Sequence, residues 1–135
     1  MVRPLNPSGV LDPVEAAAAR ARAAAGLQPD GPVIDVVAAL RRLGLLVAER
    51  DLGEFGPDGI YASEERGGVI VLNTRRSSGR VRRTAAHLLA HHVFGDAPHL
   101  DRDIDESWDD AVEARANAFA DRFLGHNGPT MGQIR

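Results

Sequence analysis

The chain has 135 residues, 44% of them hydrophobic and 26% charged, a size that suits one domain with one core and a balance that excludes a disordered chain. Its 16 basic and 19 acidic residues leave a net charge of -3, too small by itself to imply a polyanionic or polycationic partner. There is no cysteine, which excludes disulfides, thiolate ligands and a cysteine nucleophile together, so any metal must sit on imidazole and carboxylate.

The start of the chain carries no uninterrupted apolar stretch behind a basic segment, and no run approaches the roughly 18 apolar residues of a membrane span. A cytoplasmic protein with no membrane contact is expected. Asp12 and Pro13 read as a helix cap and first-turn proline for an alanine- and arginine-rich helix over Val14 to Ala25, stopped by Gly26. After the turn at residues 29–32, a second helix with Val33, Val36, Val37 and Leu40 on one face stops at Gly44. Three short strands follow at residues 45–48, 59–62 and 69–72, separated by glycine-rich turns. Ser77 or Ser78 caps a third helix from about Gly79 to Val93, ended by Gly95 and Pro98. A polar loop over residues 95–103 then leads to Asp105, the cap expected for a last helix running through Leu124.

The third helix carries His87 and His91, four residues apart and so on one face, where two imidazole nitrogens can meet one ion. On a helical projection Val81, Ala85, Leu88, Leu89 and Val93 form the apolar stripe, and the two histidines point away from its centre with Arg80 and Thr84. A solvated histidine pair and a ligating pair both satisfy that placement. The last helix favours ligation. Beside its stripe of Trp108, Val112, Ala116, Phe119 and Phe123 runs the row Glu113, Asn117, Ala120, Leu124, whose apolar second half draws the first half toward the core. A carboxylate there needs a partner, and His87, His91 and Glu113 make the two-histidine, one-carboxylate set of catalytic zinc sites. Asn117, one turn on, is a candidate to orient His87 or Glu113 from outside, with a surface amide as the alternative. Asp109 and Asp110 fit better as partners of the helix dipole than as ligands.

At these residues the chain resembles the ImmA/IrrE family of zinc metallopeptidases, whose pattern is roughly R-x-R-F-T-L-A-H-E-L-G-H followed by E-x-x-A-N-x-F-A. Here Arg80-Val81-Arg82-Arg83-Thr84-Ala85-Ala86-His87-Leu88-Leu89-Ala90-His91 is followed by Glu113-Ala114-Arg115-Ala116-Asn117-Ala118-Phe119-Ala120. Upstream, Ile34-Asp35-Val36, Leu43-Gly44, Gly59-Ile60-Tyr61 and Val69-Ile70-Val71-Leu72-Asn73 follow the family's helix-then-strands lead-in. The likeness spans residues 32–124. It implies an α+β, zincin-like domain of order α-α-β-β-β-α-α, with a short three-stranded sheet on the HxxxH helix. Residues 1–31 would form an N-terminal helix and linker, and 125–135 a tail.

By the same resemblance His87, His91 and Glu113 are the ligands of one zinc ion. Two departures stand out: Arg83 replaces a phenylalanine, and Leu88 replaces the glutamate that serves as general base. General acid–base catalysis contributes roughly 10²–10⁴-fold, and leucine supplies none of it. The expected function is therefore a degenerate peptidase domain that still binds zinc and serves as a regulatory protein-binding module. The alternative is an active zinc endopeptidase using Asp109, Asp110 or Glu106 as base. The resemblance points to a helix-turn-helix repressor or antitoxin as the protein partner. Nucleic-acid binding through Arg75, Arg76, Arg80, Arg82 and Arg83 is a third reading. The absence of interleaved aromatics and the acidic balance of the chain favour instead a solvated helix start paired with the acidic residues 101–110.

Overall fold

The computed structural model describes residues 12–65, 67–96, 99–101 and 110–125, with the side chains of 99–101 and 110 left aside. Helix α1, Pro13–Ala24, starts where the Asp12 carboxylate accepts the Val14 N–H at 2.7 Å. Its Ala17, Ala18 and Ala21 are buried in the core with Ala25. Small side chains let the helix backbone approach α4, Asp110–Phe123, with which it packs. Helix α2, Val36–Arg42, is capped by Asp35, which accepts the Ala38 N–H at 3.0 Å. Val33, expected on that helix, lies before it. It is still buried, and its N–H donates to the Leu124 carbonyl at 3.3 Å, tying the linker to the end of α4.

Strands β1, Leu46–Arg50, β2, Gly59–Glu64, and β3, Gly67–Asn73, form the expected three-stranded core of the sheet. A three-residue strand β4, His99–Asp101, extends it where the sequence suggested only a polar loop, giving the order β1-β3-β2-β4. Three residues are too few for alternation to show. β2 and β3 pair antiparallel, with Gly59 opposite Leu72 and Tyr61 opposite Ile70, so these four share one face. β1 runs parallel to β3 on its far side from β2, so the connection from Arg50 to Gly59 crosses over the end of β3. Asn73 secures that crossover. Its side-chain carbonyl accepts the Leu52 and Arg75 N–H groups at 3.1 and 2.9 Å, and its amide donates to the Gly53 and Pro57 carbonyls at 3.1 and 2.9 Å. A buried amide with all four capacities used adds specificity without an unmet polar atom.

Helix α3, Ser78–Val93, is capped by Ser77 and packs on β2, β3, α2 and α4. Covered from both the sheet and α4, it has every residue from Thr84 to His91 buried. Gly59 sets its distance from the sheet. A Cβ there would come within 2.8 Å of Leu88 Cδ1 and Thr84 Cγ2, so a larger residue would require these side chains to shift. α4 completes the core with Ala116, Phe119, Ala120 and Phe123, and Phe119 meets Phe94 edge to face at 5.9 Å. The expected cap Asp105 and the stripe residue Trp108 lie outside the described residues.

Arg22 joins three segments. Only 3% exposed, its guanidinium donates to the carbonyls of Gln28, Phe123 and Gly31 at 2.9, 2.6 and 2.8 Å. A cation at the carbonyl end of α4 also has the favourable sign for the helix dipole. Arg22→Met keeps much of the volume but strands these carbonyls, and we expect it to lower unfolding stability by about 3–5 kcal/mol, read from the urea midpoint. A loss below about 1 kcal/mol would contradict this structural role.

Candidate metal centre

The central turns of α3 and the first turns of α4 bring together the three residues singled out in the sequence. His87 Nε2 lies 2.9 Å from Glu113 Oε1, His91 Nε2 lies 3.5 Å from Glu113 Oε2, and the two Nε2 atoms are 3.3 Å apart. One donor atom from each falls within 4.8 Å of the others. The histidines are 6% and 0% exposed. They do point off the apolar stripe, but the solvated alternative is corrected: α4 covers that side of α3, so the pair is buried against a second helix.

The remaining ring nitrogens are also engaged. His87 Nδ1 meets Asn117 Oδ1 at 3.0 Å, and His91 Nδ1 meets Asp96 Oδ2 at 2.9 Å. A carboxylate and an amide oxygen only accept, so each Nδ1 donates outward and each Nε2 is left facing Glu113. Two imidazole lone pairs and a carboxylate turned toward one another repel unless a cation, or an added proton, lies between them. The spacing fits a metal. Donors about 2.0–2.1 Å from a tetrahedral zinc ion lie about 3.3 Å apart along each edge, the separation of the two histidine nitrogens. The residues present therefore fit the ion, and His87, His91 and Glu113 could hold it.

Burial pushes His91 below the usual histidine range. The Asp96 hydrogen bond works against that, the charge of His87 adds to it, and the charges of Glu113 and Asp96 oppose it. The neutral form that a metal needs is thus already favoured. His92 is likewise lowered by burial, and its Nδ1 lies 2.9 Å from the hydroxyl of buried Tyr61 on β2, away from Glu113.

Asp96 and its partner Arg115 were missed in the sequence. Arg115 Nη2 reaches Asp96 Oδ1 at 2.6 Å while its guanidinium sits 4.4 Å above the Phe94 ring. A signal was present: a helix closed by a left-handed Gly95 folds the next residue back over the turn that ends at His91. Leu88, between the two histidines, is fully buried with its Cδ1 over Gly59. The substitute bases considered, Glu106, Asp109 and the Asp110 side chain, lie outside the described residues.

Among the described residues the arginine cluster pairs with carboxylates on two other segments. Arg75 pairs with Asp51 at 3.0 Å, Arg76 and Arg80 both pair with the buried Asp58 at 2.7 and 2.8 Å, and Arg83 pairs with Asp121. These arginines brace the 51–58 crossover and α4. The acidic side chains of residues 101–110, expected to pair with this cluster, lie outside the described residues. Among the described residues no helix is long and apolar enough to cross a membrane.

Residues 40–124 match the model of the IrrE N-terminal-like domain of the M78 peptidases. No curated protein matches the chain.

The histidine shifts have a pH consequence. With His91 and His92 lowered in the fold, the unfolded chain binds more protons below the ordinary histidine pKa of about 6.5. Their contribution to stability is complete above that pH and declines as pH falls through it. Metal-free protein in chelator should show a falling urea midpoint from pH 7.5 to 5.5, and a midpoint that rises over that interval would contradict the assignment.

Proposed function

The chain belongs to the IrrE N-terminal-like peptidase family, a family of zinc-dependent enzymes, and on that premise we propose that it is a zinc-binding but degenerate member that recognises a protein without cutting it. One observation carries the reading. The three donors and their outside partners are in place, whereas the position of the base is taken by Leu88, fully buried in the packing between α3 and β2.

His87, His91 and Glu113 would hold the ion. Zinc, when bound, supplies Lewis acidity toward water and a peptide carbonyl. Peptide hydrolysis also needs a group that accepts a proton from the attacking water and returns it to the departing amine. Leu88 can do neither. Among the described residues, Asp96 is committed to His91 and Arg115, and Asn117 to His87. Glu113 is itself a donor of the set. At roughly 10²–10⁴-fold for general acid–base catalysis, loss of the base alone turns a turnover of seconds into one of minutes to hours.

Leu88 also explains why the exchange persists. Its burial contributes about 1.5–3 kcal/mol, and it closes the gap left by the missing side chain of Gly59. On this reading a site released from hydrolysis keeps its donor set. The regulatory setting and the partner class come from the resemblance: family peptidases act on helix-turn-helix repressors or antitoxins, and this chain would bind such a protein in the cytoplasm and hold it intact.

Zinc-loaded wild type should leave casein and a folded helix-turn-helix repressor uncleaved over hours at micromolar enzyme, by gel and mass spectrometry. Cleavage that chelator abolishes and Glu113→Ala removes would overturn the proposal in favour of an active endopeptidase with another base. Leu88→Glu should gain zinc-dependent hydrolysis. It should also destabilise the metal-free fold by about 3–5 kcal/mol, because it buries a carboxylate without a partner.

A further inference from the structure

The two histidines are supported from outside in different ways. His87 leans on the neutral amide of Asn117, an exposed residue. His91 leans on the carboxylate of Asp96, whose side chain is only 12% exposed. A charged acceptor makes the stronger hydrogen bond and raises the basicity of the ring as a ligand.

The backbone delivers Asp96 to that place. At the end of α3 the Gly95 N–H donates to the His92 carbonyl at 3.2 Å and the Asp96 N–H to the His91 carbonyl at 2.8 Å. With Gly95 at φ +72°, this is the Schellman closure. The same residue therefore binds His91 twice, through its N–H to the backbone and through its carboxylate to the ring. The second carboxylate oxygen is taken by Arg115 at 2.6 Å, and Arg115 is held in turn over Phe94, the capping residue of the same turn. Asp96 is left with one orientation and a compensated charge.

We propose that Asp96 is a positioning residue for the metal centre: it orients His91 as a ligand, and Arg115 holds Asp96 in register from α4. The helix that supplies Glu113 thereby also secures His91 through a salt bridge two residues further on. His91 is the anchored ligand of the pair and His87 the more adaptable one. This rests on the reading of His87, His91 and Glu113 as metal holders.

The test is the zinc dissociation constant of the full chain, measured by competition with a chromophoric chelator. Asp96→Asn should weaken binding by about 10–100-fold, Asn117→Ala by less, and Arg115→Met by an intermediate amount. The double variant Asp96→Asn/Arg115→Met should resemble Asp96→Asn alone, since both act through one contact. The visible spectrum of the cobalt-substituted protein should change in Asp96→Asn, a signature that a purely structural contact would leave unmoved. Should Asp96→Asn fail to fold, Arg115→Met carries the same prediction. Wild-type affinity and spectrum in whichever of these variants folds would overturn the proposal while leaving the metal centre standing. Failure of the wild type itself to bind zinc would instead overturn the reading of the metal centre, and this proposal with it.

Discussion

Two imidazoles and a carboxylate face one another in the contact between α3 and α4, and much of the architecture serves to keep them there. Their arrangement is unfavourable without something positive at its centre, because both ring protons are drawn outward to Asn117 and Asp96. The phenylalanines of α4 and Phe94 at the end of α3 press the helices together. Arg22 and the Val33 to Leu124 contact hold the far end of α4 against α1 and the linker. Apolar packing thus opposes the local repulsion and keeps the donors at a separation suited to a tetrahedral ion.

The other side of α3 answers to a different demand. There the helix meets β2 at a glycine, and Leu88 and Thr84 occupy the space above it. Adjacent residues of one helix consequently serve opposite ends. His87 turns to α4 and keeps the donor set whole, while Leu88 turns to the sheet and contributes packing. The donor set is supported from α4 and from the turn after α3.

Much of this was legible in the sequence because its causes are local or periodic. The caps Asp12 and Ser77 and the stops at Gly26, Gly44 and Gly95 place both ends of α1 and α3 and the end of α2 within a residue or two, whereas the start of α2 falls at Val36, after Val33. The four-residue spacing of the histidines and the mixed row of Glu113 and Asn117 brought two distant helices to one site, because a polar row continuous with buried alanine must face something polar. What escaped depends on contacts between segments. Strand β4 has no pattern of its own and exists through pairing with β2. Asp96 was read as loop because the return of the chain over His91 follows from the closure at Gly95, a three-dimensional consequence of one left-handed residue. The arginines after β3 found Asp51, Asp58 and Asp121, on the crossover and α4, which only the tertiary fold brings near.

The measurement that bears most directly on the account is the zinc content of the protein purified without added metal, beside that of a His87→Ala/Glu113→Ala double variant. The account predicts close to one zinc per chain in the wild type and none in the variant, with the variant still folded. No zinc in either, or equal zinc in both, would contradict it.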